Sequence, residues 1–384
     1  MSTKVAIVNV KEYETIPDAV KSAIKLLKND LGFEIMQSDK ILLKPNLLTS
    51  KKDACTQPAF VEGVISYLKE INIPMTNVFL GDSPGQSEKV GSDVAKTIGV
   101  YDLCEIHGFN FVNFEGDIPI VEKIDGAFNL NEIRVAKAVK ECDVLINLPR
   151  LKSHLEATMT GAIKNYWGII PGGLKAKYHL FGKSSEQFGE VLADNFSWIV
   201  KNKPKRFTVY DLQRIMEGST GPGGGKMVNW DLILVGTDEV ALDLVALEIG
   251  KVKPKSVPHL KNAIDRNLGI GDLEDIEIVG MPLEDAKKQA PKFKVPGSTF
   301  TSFIAYMSGH IGYKIIKKIP KLTKSKCIKC GECAQNCASK AIKFEVGEYP
   351  IFLRNKCISC FCCAELCSEV AIKAKSRGIV GLFD

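Results

Sequence analysis

Cys327, Cys330, Cys333 and Cys337 follow the spacing CxxCxxCxxxC, and Cys357, Cys360, Cys363 and Cys367 follow it again thirty residues later. The flanks repeat as well. Lys326, Ile328, Ala341, Ile342 and Lys343 recur as Lys356, Ile358, Ala371, Ile372 and Lys373, so the unit is an internal duplication. Three thiolates two residues apart can curl round one cube of iron and sulfide, while the fourth, three residues further on, points away and is better placed to ligate a second cube. The competing chemistry for CxxC pairs is zinc, but zinc ribbons use two ligands per knuckle, not three in a row. Two [4Fe-4S] clusters are therefore the expectation.

This stretch resembles the bacterial ferredoxins that carry two [4Fe-4S] clusters, over about the last sixty residues. The resemblance implies that Cys327, Cys330, Cys333 and Cys367 hold one cluster, and that Cys357, Cys360, Cys363 and Cys337 hold the other. The proline that usually follows the fourth cysteine is replaced by Ala338 and Ser368. Proline ligates nothing, so the change bears on local rigidity rather than on the clusters. Cys362 is surplus, either a spare buried thiol or a ligand exchanged with Cys363.

These motifs must be carried by something larger. A chain of 384 residues suggests two or three domains, and 45% hydrophobic with 25% charged residues is ordinary for a globular protein. No uninterrupted apolar run is long enough to cross a bilayer, and the first residues read as a strand rather than a signal peptide, so a cytoplasmic location is expected. Eight of the twelve cysteines sit in the two motifs and four (Cys55, Cys104, Cys142, Cys362) are scattered, which argues for a reducing, anaerobic setting rather than a disulfide scaffold. From Lys321 to Arg377 there are eleven basic and five acidic residues, a net +6 that equals the charge of the whole chain. Two loaded clusters would leave this region near about +2, enough to attract an acidic electron donor of the ferredoxin or flavodoxin type. Few aromatics interleave the basic residues, so nucleic acid is not the expected partner.

Residues 1–290 alternate strand-like and helix-like patterns, which predicts a layered α/β domain with a mostly parallel or mixed sheet. Strands are expected over Val5–Val10, Ile41–Leu43, Val78–Leu80, Val144–Leu148, Phe207–Tyr210 and Ile233–Val235. Ile16, Ala19, Val20, Ala23, Ile24 and Leu27 form a helical stripe, Pro58 opens a helix to about Lys69, and Asp238 caps another over Val240–Ile249. Residues 291–320 form a connector with an amphipathic pattern from Phe300 to Ile315. It is read as a helix docking the second domain rather than as a membrane-surface helix, because a conjoined domain must bury a seam. Residues 321–384 form the small α+β ferredoxin-like domain.

The segments ILLKPNLLTS, GDSPG, INLPRLKSHLEATMTGAIKNYWGIIPGG, and VYDLQRIMEGSTGPGGGK followed by GTDEVALDLVA resemble the domain of unknown function 362, a family of iron-sulfur-centre proteins. The resemblance spans roughly residues 35–250. It implies an α/β domain with a ferredoxin module appended, and names no substrate.

Strand ends deliver polar residues, and open α/β sheets bind ligands at the carboxyl edge of their strands. Lys44, Asn46, Asp82, Ser83, Lys164 and Asn165, with the Gly223, Gly224, Gly225 and Lys226 loop, are the expected cofactor- or substrate-binding residues. Lys152, His154 and Asp211 are the expected catalytic ones, with His154 as proton donor. The glycine loop could cradle a phosphate but is no P-loop, since Thr220 stands where a glycine and Met227 where a Ser or Thr is required. The cationic cluster favours a small anionic ligand. An additional organic cofactor stays open, although no flavin or nicotinamide fingerprint is visible. These features together predict an enzyme that passes low-potential electrons from a donor protein through the clusters to a bound substrate. The alternative is a carrier or docking module without catalysis.

Overall fold

The structure, a computed structural model, describes residues 3–84, 91–116, 118–182, 184–218, 224–296 and 318–375. Gly223 and most of the expected connecting helix, residues 297–317, lie outside the described residues.

The sheet begins with β1 (Thr3–Asn9), β2 (Ile41–Pro45), β3 (Val78–Asp82) and β4 (Asn110–Asn113). A separate hairpin of β5 (Pro119–Lys123) and β6 (Glu132–Ala136) follows. The chain re-enters the sheet with β7 (Val144–Leu148), β8 (Arg150–His154) and β9 (Thr158–Thr160). It then adds β10 (Arg206–Glu217), β11 (Lys226–Gly236) and β12 (Ile276–Gly280). The order across the sheet is β12-β1-β11-β10-β7-β2-β3-β4, with β8 beside β10 and β9 beside β8. Pairing is parallel from β10 through β7, β2 and β3 to β4, and antiparallel where β11 joins β10 and β1, so the sheet is mixed.

Helices cover both faces, and for that reason the strands read as continuous apolar runs rather than alternating ones. In β1, Val5 and Ile7 enter one hydrophobic cluster while Ala6 and Val8 enter the other. The helix Ile16–Leu26 buries the predicted stripe Ala19, Val20, Ala23 and Ile24, and its N-cap Thr15 accepts a hydrogen bond from the Asp18 N–H. Asp238 caps Glu239–Ile249 by accepting from the Val240 and Ala241 N–H groups, as expected.

One expected strand end is not an end. β10 runs on past Asp211 to Glu217, because it exchanges β7 for β8 as a partner beyond Pro149. The glycine-rich segment consequently lies between the antiparallel strands β10 and β11, with Lys226 paired opposite Glu217.

The cysteine-rich region starts at Ile319, two residues before the expected boundary, with β13 (Ile319–Leu322), which pairs with β16 (Ile372–Lys375). Between them lie the pair β14 (Ile342–Lys343) and β15 (Ile351–Phe352). Short helices cover Glu332–Gln335 and Cys362–Glu365, at equivalent places in the two repeats.

Candidate functional site

Because β2, β3 and β7 run parallel and in register, their carboxyl ends meet at one edge. Lys44 reaches from β2 to β3, where Nζ lies 2.6 Å from Asp82 Oδ1, and it also donates to the Pro45 carbonyl at 2.9 Å. Asp82 Oδ2 accepts the Leu47 N–H at 2.6 Å, so the pair is buried with its hydrogen bonds made. The backbone of Gly168 rests on this pair. A Cβ there would stand 2.2 Å from Asp82 Oδ1 and 2.6 Å from Lys44 Nζ, which only glycine avoids.

Beyond β7 the chain folds back over this edge. Asn165 spans the sheet end, donating to Asn147 Oδ1 at 2.7 Å and to the Lys44 carbonyl at 3.3 Å. Lys152 donates to Asn46 Oδ1 and to the Ala54 carbonyl, and burial lowers its pKa to about 7. Lys175 donates to the Ser83 and Pro84 carbonyls at 2.5 and 2.6 Å, with burial bringing its pKa to about 8. Lys164 differs from these. It lies among the same groups, yet its ammonium has no hydrogen bond or ion pair among the described residues. Burial lowers its pKa, opposed by the carboxylates of Glu365 and Glu156.

The cleft is closed from the other side by the cysteine-rich module. Asn336, Cys362, Glu365 and Leu366 line it together with Lys152, His154, Lys164, Lys175 and His179. Its cavity volume is about 100 Å³. That is smaller than the roughly 300–1,000 Å³ of pockets for drug-sized molecules, and it suits a small ligand. Leu155 adds an apolar contact across the seam, packing with Phe361 and Ala364.

His154 stands at the centre of that seam. Its Nδ1 accepts the Glu156 and Ala157 N–H groups at 3.2 and 3.1 Å, so the ring proton belongs on Nε2, which is 2.8 Å from Glu365 Oε1. Burial pushes the His154 pKa down to about 4, leaving it neutral at pH 7. This corrects the expected role, because a neutral imidazole is a poor acid. His179 behaves in the opposite way. Although burial works against its charge, Glu156, with Oε2 2.9 Å from Nδ1, raises its pKa. Nothing in the spacing around His179 singled it out, and the tertiary fold alone brings it to Glu156 and into the cleft.

Asp211, Gly224, Gly225 and Lys226 lie elsewhere. Asp211 is fully buried and pairs with Arg150, whose Nε is 3.0 Å from Asp211 Oδ2. It also accepts from Gln57 Nε2, and it does not line the cleft. Gly224 and Gly225 lead into β11, and Lys226 is exposed at its start, outside the cleft lining. The continuation of β10 to Glu217, paired with Lys226 at the start of β11, explains both departures.

The cysteines are compatible with iron-sulfur ligation. A cavity in the module is lined by Cys327, Cys330, Cys333 and Cys367, the set that takes three cysteines from one repeat and the fourth from the other. The Ala341 N–H donates to Cys337 Sγ and the Ala371 N–H to Cys367 Sγ, both at 3.2 Å, a matched pair that suits thiolates. Left-handed backbone recurs thirty residues apart, at Lys329 and Ser359, Gly331 and Phe361, and Lys340 and Val370. Such conformations cost a bulky residue roughly 1–3 kcal/mol, so their repetition marks a constrained loop. Among the described residues, no three His, Cys, Asp or Glu side chains gather closely enough to hold a single metal ion. Cys362 faces the cleft, whereas Cys363 packs with Cys333 and Cys367 inside the module.

The fold and site define an α/β protein whose carboxyl-edge cleft is completed by a cysteine-rich module. The family model described as "Domain of unknown function (DUF362)" matches residues 41–248, over half of the chain, and the chain belongs to that family. The thylakoid-associated protein sll1697 of Synechocystis sp. (strain ATCC 27184 / PCC 6803 / Kazusa) is 32% identical over 249 residues, covering 62% of this chain and 71% of that protein. Among solved structures, the lactate racemase apoprotein from Thermoanaerobacterium thermosaccharolyticum aligns with a TM-score of 0.41 at 15% identity, over 65% of this chain and 57% of that one. A protein from Thermotoga maritima aligns with a TM-score of 0.36 at 15% identity, over 53% of this chain and 52% of its own. Thus the chain spans under two thirds of either solved chain. No helix among the described residues is long and apolar enough to cross a membrane.

Proposed function

We propose that this protein is an iron-sulfur oxidoreductase that delivers low-potential electrons to a small anionic acceptor held in the interdomain cleft. The observation that carries this reading is the composition of the cleft wall. Cys362 and Glu365 line it next to Lys164, and the same short segment contains Cys360, Cys363 and Cys367, the expected cluster ligands. When bound there, clusters would supply electrons one at a time, each taken from a ferredoxin- or flavodoxin-type donor that is oxidised in turn.

The chain's own residues supply the rest. Lys164, with no hydrogen bond or ion pair among the described residues, offers its ammonium to an anionic group. Lys152 and Lys175 are already engaged by Asn46 and Ser83, and shape the wall rather than compete for the ligand. His154 holds the module in register through Glu365. A proton accompanying an electron would come from His179, the imidazole whose charged form Glu156 favours.

The test is anaerobic purification followed by reduction and reoxidation. Close to eight irons and eight acid-labile sulfides per chain are expected, with reoxidation of the reduced protein accelerated by small carboxylate or oxyanion acceptors and slowed by Lys164→Met. Stoichiometric zinc without sulfide overturns the reading. Reoxidation that ignores every such acceptor would leave a carrier.

A further inference from the structure

The duplication supplies its own control for the route of electrons, because equivalent residues of the two repeats meet different surroundings. In the second repeat, Ile358 and Cys360 are half-buried and the helix Cys362–Glu365 forms part of the cleft wall. In the first repeat, the equivalent Ile328 is 64% exposed, Cys330 is exposed, and Gln335, the counterpart of Glu365, is exposed as well. Ile and Cys are the same in both repeats, and docking against the α/β domain is what half-buries the second copy of each.

The open loop is also framed by positive charge. Lys324 and Lys326 are exposed beside it, and Lys324 and Lys329 both lie over the Tyr349 ring, 5.3 and 4.6 Å from its centroid. The ring limits how far these ammonium groups wander, so they present a fixed pattern. Glu332 and Glu369 line the neighbouring cavity, leaving the lysines in modest excess.

We infer that the first-repeat loop, Ile328 with Lys324, Lys326 and Lys329 around it, is the docking face for an acidic one-electron carrier protein. Electrons enter at the site of Cys327, Cys330, Cys333 and Cys367, and leave at the site that borders the cleft. Each encounter oxidises the carrier by one electron and reduces this protein by one. The assignment rests on the function proposed above. An exposed apolar residue ringed by cations fits a carrier whose acidic rim surrounds its own redox centre, since charge then steers the encounter and the apolar contact brings the centres close.

The full-length, anaerobically purified protein is mixed with reduced acidic flavodoxin, and its rate of reduction is followed at low and high salt. Charge reversal at Lys324, Lys326 and Lys329 together should slow reduction by on the order of tenfold or more and flatten the salt dependence. Lys28→Glu, at an exposed position just past the first helix, should change neither. The Kd for oxidised flavodoxin, measured without electron transfer, should rise in the same variants. Iron and sulfide content checks that each variant is folded and loaded, with Lys324→Gln and Lys326→Gln as milder replacements if the triple variant fails that check. A normal iron content with unchanged rate and Kd, or an equal loss in the Lys28 variant, overturns the docking face alone. Absence of iron and sulfide in the unaltered protein overturns the function and this assignment with it.

Discussion

His154 Nε2 lies 2.8 Å from Glu365 Oε1, and this contact ties the α/β domain to the cysteine-rich module at the mouth of the cleft. The two side chains come from residues more than two hundred positions apart. Their meeting turns two separate sequence features, a strand-end cluster and a cysteine repeat, into a single site.

Burial of His154, which outweighs the opposing pull of Glu365, should make stability depend on pH. The pKa of His154 falls from 6.5 to about 4 on folding, so between those values the unfolded chain binds a proton that the folded chain rejects. Stability that is complete above pH 6.5 should therefore decline as pH drops toward 4, by at most about 3 kcal/mol. Urea midpoints measured anaerobically across this range should show the decline in the natural protein and a shallower one in His154→Gln. Identical pH profiles would show that His154 does not carry the effect.

Gly168→Ala should destabilise by roughly 2–4 kcal/mol, because its Cβ must displace a buried, hydrogen-bonded ion pair. Gly173→Ala is the matched control. It has helical backbone angles, φ −64° and ψ −7°, and nothing within 4 Å of the added carbon. Thermal unfolding of the two variants should separate them by many degrees, and equal stabilities would refute the close approach.

Lys164→Met should leave stability unchanged or raise it by up to about 1 kcal/mol, because it removes a burial cost that the Glu365 and Glu156 carboxylates oppose without a direct hydrogen bond. The same change should abolish binding of small carboxylates or phosphate measured by calorimetry. A loss of stability exceeding binding loss would make Lys164 structural.

Cys362→Ser should retain the full iron content, and Cys363→Ser should lose about half, since Cys362 faces the cleft and Cys363 the module interior. Iron and sulfide assays on both variants decide the matter. The reverse outcome would exchange the two roles.

Much of this was legible in the chain itself. Strand and helix positions follow from apolar periodicity and caps, which are local: the stripe of the first helix, the capping Asp238 and the carboxyl-edge placement of Lys44 and Asp82 needed no tertiary information. The cysteine repeat is legible as compatible with iron-sulfur ligation, because a cluster would constrain ligand spacing within one loop. Other features depend on distant pairing. Asp211 carries the marks of a strand-end catalytic group, but whether β10 stops there is decided by β8 arriving alongside. His179 and Glu156 become partners only after the chain returns over the sheet edge, and Glu365 becomes a cleft residue only when its module docks. Likewise, the two repeats share their cysteine spacing, and the docked α/β domain places Cys362 and Glu365 of one in the cleft wall while Ile328 and Cys330 of the other stay exposed. Sequence specifies local conformation and ligand spacing through short-range sterics, whereas burial, pKa and the sharing of a site depend on which surfaces exclude water from each other.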